Sequence, residues 1–139
     1  MRILFATLLF ALSLFAEPIS WSSDFNSAFG RAVTEKKPLL IYVTQPHCRA
    51  CTFMEEKVFP DTAVSGYVNA RYVALKLQLG DKSLPSHLQP FGTPTFYVLN
   101  RDQSEVTDAV VGGKNSENFL FFLEEGVDYY QIKNRKENQ

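Results

Sequence analysis

Apolar residues between Phe25 and Val33 recur at positions 25, 28, 29, 32 and 33, the i, i+3, i+4, i+7, i+8 spacing of one helical face. Ser22, Ser23 or Asp24 can cap the start of that helix, and Lys36, Lys37 and Pro38 end it. At Leu39 the period changes. Leu39 to Thr44 is continuously apolar and rich in branched side chains, which predicts a strand covered on both faces of an α/β sheet. Gln45-Pro46-His47 breaks the strand. A second helical pattern then runs from Cys48 to about Phe59, stopped by Pro60, with Phe53, Met54 and Val58 as core residues. Asp61 to Asn69 adds a further helical turn or two.

Tyr72 to Leu79 has the composition of a second buried strand. Asp81 to Phe91 is polar and punctuated by Pro85 and Pro90, with one short helix expected around Ser86 to Gln89. Thr95 to Leu99 and Glu105 to Val111 read as a hairpin turned by Asn100 to Ser104, and Gly112-Gly113 ends it. Asn115 or Ser116 caps a last helix that buries Phe119, Phe122 and Leu123. The order α-β-α-β-α-β-β-α predicts an α/β domain with a central mixed sheet of about four or five strands flanked by helices. Its early strands are parallel and its last two antiparallel. Leu39 to Thr44 falls near the centre, which delivers Cys48 to the carboxyl edge of the sheet, where reactive groups of open α/β folds gather.

The amino terminus obeys a different logic. Met1 and Arg2 precede an almost wholly apolar run from Ile3 to Phe15, and Ala16 is followed by Glu17-Pro18. This is the layout of a secretory signal peptide over residues 1–16, since the run falls short of the roughly 20 residues that span a bilayer. An uncleaved, membrane-tethered form is the competing reading, because Leu14 stands where a smaller residue is usual. The remainder suits one domain, expected over residues 19–126, with residues 127–139 as a C-terminal tail frayed from Lys133 onward. Lys and Arg number 14 against 15 Asp and Glu, so no nucleic-acid footprint is present. The closing Lys136-Glu137-Asn138-Gln139 is no endoplasmic reticulum retention signal, which favours a bacterial periplasm.

In an exported chain most cysteines end up crosslinked, yet this one carries only two, Cys48 and Cys51, three apart at a helix start. Unpaired N–H groups and the positive helix end favour a thiolate at Cys48, and Arg49 and His47 can add positive charge beside it. Cys51, one turn along on the same face, can resolve a mixed disulfide formed on Cys48. An inert bridge is the weaker reading, because so short a loop constrains little of the unfolded chain. Zinc is weaker still: only His47 and His87 remain as nitrogen ligands, and His47 is adjacent to Cys48. His87 is expected to face solvent, and His47 is either a bystander or a tuner of the thiolate. No metal or cofactor is expected.

Thr93-Pro94, between a glycine and a strand, is a place where a cis peptide can be held. Together, Pro38 to Val43, Cys48-Arg49-Ala50-Cys51, Phe91-Gly92-Thr93-Pro94-Thr95-Phe96 and Gly112-Gly113 make residues 22 to 125 resemble the thioredoxin superfamily. Within it the chain is similar to exported bacterial thioredoxin-like proteins, including the sulfur-oxidation periplasmic thioredoxins and the C-terminal domain of the transmembrane thiol:disulfide reductase. The resemblance implies a thioredoxin fold and thiol:disulfide oxidoreductase activity, with Cys48 as nucleophile and Cys51 as resolving residue. It also implies a cis Pro94 and a Thr93 backbone that pairs with bound peptide, as a strand edge would.

Two places depart from the family pattern: His47 stands where tryptophan is usual and Tyr42 where a buried aspartate is usual. Glu55, one turn beyond Cys51, matches an acidic residue of the reductase domain and either replaces the missing base or is simply solvated. The expectation is a monomeric reductant of disulfide-containing proteins, fed by a membrane-bound dithiol donor. Thiolate stabilisation pulls the other way, toward an oxidase or isomerase. A peptide-binding module with idle sulfurs is the reading from another class.

Overall fold

The computed structural model describes residues 17–137, so the expected signal peptide lies outside the described residues. The elements are β1 (Trp21–Ser22), α1 (Phe25–Glu35), β2 (Leu39–Thr44), α2 (Arg49–Phe53), a π-helical turn (Met54–Val58), α3 (Thr62–Arg71), β3 (Val73–Gln78), β4 (Thr95–Leu99), β5 (Val110–Val111) and α4 (Ser116–Glu137). The five strands form one sheet in the order β1-β3-β2-β4-β5. β1 and β2 lie parallel to β3, whereas β4 runs antiparallel to β2 and β5 antiparallel to β4. All six residues of the central β2 are buried, as a strand sandwiched between helical layers requires.

Successive residues of β2 and β4 point to opposite faces and build two cores. Leu40, Tyr42, Phe96 and Val98 join Cys51, Met54, Phe59, Val64, Val68, Phe119 and Leu123 beneath α2, α3 and α4. Leu39, Ile41, Val43, Tyr97 and Leu99 join Phe25, Ala28, Ala32, Leu75, Leu77 and Leu88 beneath α1. Each fully buried Leu, Ile or Phe contributes about 1.5–3 kcal/mol relative to exposure. Local signals place the helices over these cores: Asp24 accepts from the Ser27 N–H at the start of α1, and Asp61 from the Ala63 N–H at the start of α3.

Several expectations are corrected. β1 adds an edge strand before α1. No helix forms at 86–89; residues 81–91 run as turns, one closed by Leu88 N–H to Pro85 O at 2.9 Å, because two prolines five apart leave no room for a helical ladder. Glu105 to Val111 is not one strand. Leu99 faces Glu105 while Phe96 faces Val110, so the return strand carries extra residues, bulges outward, and rejoins only at Val110–Val111. Val33 is 41% exposed, off the buried face of α1. The domain does not stop at residue 126. α4 continues to Glu137, burying Val127 and Tyr130, and Asn134 donates to Asn100 Oδ1 at 2.8 Å. Among the described residues no helix is long and apolar enough to cross a membrane.

Candidate active site

β2 ends at Thr44, and the chain turns through Pro46 and His47, whose φ of 58° lies in the left-handed region. That reversal aims Cys48 into the first turn of α2. Cys48 is the extended N-cap, and its sulfur accepts the Cys51 N–H at 3.2 Å, one of the donors a helix start leaves unpaired. Cys48 and Cys51 are joined as a disulfide with their Cα atoms 5.2 Å apart, a separation a bridge spans without backbone movement. The two sulfurs differ in access: Cys51 is 2% exposed and packed into the core, whereas Cys48 is half-buried.

Opposite the pair stands the loop before β4. The Thr93–Pro94 peptide is cis, Pro94 is buried, and the Thr93 carbonyl lies 3.5 Å from the Cys48 sulfur. The bridged sulfur carries no hydrogen, so this is a contact; a Cys48 thiol would find an acceptor there. Thr95 Oγ1 donates to Gly92 O at 2.7 Å, and the Gly112 N–H donates to Pro94 O at 2.8 Å, which pins the loop from both sides. Gly112 does so at a φ of 91°, open in practice only to glycine. Thr93 Oγ1 is enclosed without a hydrogen-bond partner among the described residues.

Beyond Cys51 the helix widens by one residue, with Phe59 N–H bonding Met54 O at 2.8 Å, the i to i+5 pattern of a π turn. Met54 is fully buried, and its sulfur accepts the Lys114 N–H at 3.3 Å, tying the segment after β5 to the cysteine helix. Phe53 is 44% exposed, a correction to its expected core placement. Glu55 is half-exposed and ion-paired with Lys76 of β3, so it is not simply solvated. The Lys76 ammonium also lies 5.7 Å from the centre of the Tyr42 ring. Lys76 was overlooked in the sequence, although it is the one charged residue inside the apolar run Val73–Gln78.

Tyr42 donates to Thr44 Oγ1 at 3.1 Å. Burial pushes its phenol up to about 12; the Thr44 bond opposes this, and the Glu55 charge adds to it. A neutral phenol therefore stands at the position where the family pattern has a carboxylate. Cys48, Cys51, Thr93 and Pro94 are brought together, Arg49 and His47 are exposed on either side of Cys48, and Glu55 points to β3. His87 is exposed and its Nε2 lies 2.9 Å from Gln103 O. Among the described residues no group of three or more His, Cys, Asp or Glu side chains is placed to hold a metal ion.

A mixed five-stranded sheet with a bridged Cys-x-x-Cys at a helix start defines a thioredoxin-fold protein with a closed cysteine pair. The family model described as "Thioredox_DsbH: Protein of unknown function, DUF255" matches residues 2–85, more than half of the chain, and the chain belongs to that family. The structure is similar to that of a putative disulphide-isomerase from Bacteroides thetaiotaomicron, at 26% identity and a TM-score of 0.69 over 81% of this chain and 95% of that one. A thioredoxin from Thermus thermophilus matches at 23% identity and a TM-score of 0.68, over 78% and 87%. The oxidised C-terminal domain of DsbD from Neisseria meningitidis matches at 19% identity and a TM-score of 0.63, over 77% and 99%. No curated protein matches the chain.

Proposed function

We propose that this protein is an exported thiol:disulfide oxidoreductase that reduces disulfides of other proteins, with Cys48 as nucleophile and Cys51 as resolving residue. The difference in access between the two sulfurs carries the reading: only Cys48 is open to a second protein, and it lies beside the Thr93 carbonyl. In the reduced protein the Cys48 thiolate attacks one sulfur of a client disulfide, forming a mixed disulfide and expelling the other client sulfur as a thiolate, which takes up a proton. Cys51 then loses its proton and attacks the Cys48 sulfur. The Cys48–Cys51 bridge forms, the second client thiolate leaves, and two electrons have passed to the client. A dithiol donor, proposed to be membrane-bound, returns the bridge to the thiol form.

Arg49 and His47 would favour the Cys48 anion, Glu55 with Lys76 would set the charge behind Cys51, and the Thr93 backbone with Pro94 would hold the client chain. The protein would act as a monomer in a bacterial periplasm, exported by residues 1–16. One observation favours the oxidase or isomerase reading: the Cys51 N–H aimed at the Cys48 sulfur stabilises the thiolate, hence the reduced form, which makes a stronger oxidant.

Two measurements test the proposal. Cys51→Ser is expected to accumulate mixed disulfides with client proteins and Cys48→Ser to form none; client reduction in living cells that Cys48→Ser leaves unchanged would mean that the sulfurs are idle and leave only a peptide-binding module. Alkylation in living cells is expected to find mostly free thiols, and a fully bridged population would reverse the direction of the reaction.

A further inference from the structure

The end of the sheet that carries Cys48 also carries an apolar groove that the exchange chemistry leaves unused. Val43 of β2 faces Thr95 of β4, so the loop holding Thr93 and Pro94 enters the sheet beside the strand that leads to the cysteines. Thr95 in turn faces Val111 of β5. Directly opposed residues share a sheet face, as do residues two apart on one strand, so Thr95, Tyr97 and Val111 line the same side. Between that side and the turns of residues 81–91 lies a cavity of about 390 Å³, lined in part by Leu88, Phe91, Tyr97, Ala109 and Val111.

The two larger side chains that stand open here are Phe91, 98% exposed, and Val111, 63% exposed. A lone exposed valine is ordinary on a protein surface, but a fully solvated phenyl at the rim of an apolar groove is an unmet contact. Glu105 is the only Asp, Glu, Lys or Arg in the lining, so the groove suits an uncharged occupant. Phe91 is two residues before Thr93, which holds their Cα atoms within about 7.6 Å. A client chain extended past Thr93 advances roughly 3.3 Å per residue, so its second or third residue from the attacked cysteine reaches the groove mouth.

We propose that this groove is a client subsite, in which an aromatic or branched aliphatic side chain near the client's disulfide cysteine packs between Phe91 and Val111. The occupant is thus an extended segment of an exported protein whose cysteine has an apolar near neighbour. The subsite deepens the exchange reaction proposed above and rests on it.

The test compares two disulfide-bridged synthetic peptides of equal length and charge, with Phe or Ser at the third residue from a cysteine, alongside bis(2-hydroxyethyl) disulfide. Wild-type protein is expected to prefer the Phe peptide by about tenfold in kcat/KM, carried mainly by KM. Phe91→Ser is expected to cut the preference to below about threefold, with Val111→Ser intermediate. Equal turnover of both peptides by the wild type, or a preference that survives both substitutions, overturns the subsite while leaving the exchange reaction standing. No turnover of any of the three disulfides overturns both. Sedimentation gives the remaining arm: a wild-type dimer that Phe91→Ser converts to monomer, with peptide preference unchanged, would assign the groove to a second copy of the chain instead.

Discussion

On the side of the sheet that meets α2, α3 and α4 the interior is aromatic, with Tyr42, Phe59, Phe96 and Phe119 in contact at ring separations from 4.8 to 6.2 Å. The side beneath α1 is filled chiefly by Leu39, Ile41, Val43, Leu75, Leu77 and Leu99. Cys51 belongs to the first side. Large rings with few rotamers fix the geometry around a buried sulfur, whereas branched aliphatics fill volume with weaker directional demands. Coverage differs as well. Three helices close the aromatic side, while α1 and the irregular 81–91 segment close the other and leave a groove open. One sheet thus separates a face closed by three helices behind the Cys48–Cys51 bridge from a more open face beside the Thr93–Pro94 loop.

The largest effect that can break this comparison comes from truncation at two positions of β4 that face opposite sides of the sheet. Phe96→Ala is expected to cost about 4 kcal/mol and Leu99→Ala about 3 kcal/mol in urea denaturation, since both side chains are fully buried. Only Phe96→Ala should also move the reduction potential of the Cys48–Cys51 pair, read by titration against dithiothreitol, because Phe96 and not Leu99 shares the core of Cys51. Phe96→Leu serves as the milder variant. Equal shifts in potential from both sites would mean that the two faces do not differ in their hold on the sulfur.

The same contrast explains what was legible in the sequence. β2 and β4 have the expected bounds because each is a short apolar run between proline, glycine or asparagine, and these runs supply both faces. β1 was not legible: two residues have no periodicity, and Trp21–Ser22 becomes a strand only because β3 offers it an edge. Met54–Val58 reads as ordinary helix, since nothing local distinguishes a π turn from an α turn when tertiary packing decides it. The end of α4 was legible and passed over. Leu123, Val127, Tyr130 and Asn134 continue the helical spacing past the boundary expected at residue 126. Of the site, Cys48, Cys51, Thr93 and Pro94 could be named from spacing and family pattern, whereas Lys76 needed the fold to bring β3 under the cysteine helix.

A smaller effect isolates how closely the aromatic side is packed. Gly126 sits within α4 where a methyl group would stand 2.3 Å from the Tyr72 hydroxyl, which itself donates to Leu123 O at 2.6 Å. Alanine is the better helix former by about 1 kcal/mol, so on propensity alone Gly126→Ala should stabilise. Overpacking and the loss of a buried hydrogen bond outweigh that gain, and the expected result is a net loss of about 2 kcal/mol. Tyr72→Phe removes the obstructing oxygen. In that background Gly126→Ala should cost less than about 0.5 kcal/mol, a non-additivity expected of residues in contact. A cost that is the same in both backgrounds would place the crowding elsewhere.

The smallest effect concerns the phenol buried behind the cysteine helix. At neutral pH Tyr42→Phe loses one neutral hydrogen bond, to Thr44, and should destabilise by about 1 kcal/mol. In an unfolded chain tyrosine ionises near 10, but burial holds Tyr42 protonated up to about 12. The unfolded chain therefore releases this proton first as pH rises. The stabilising contribution is complete below pH 10, declines between 10 and about 12, and is lost beyond that. Urea midpoints measured from pH 8 to pH 11 should show the wild type falling more steeply above 10 than Tyr42→Phe, so that the two curves converge. Tyr97→Phe supplies the control from the opposite face, because burial raises that phenol too. It should flatten the curve without moving the reduction potential, while a change in potential in Tyr42→Phe alone ties the alkaline behaviour of this hydroxyl to the aromatic side that holds Cys51.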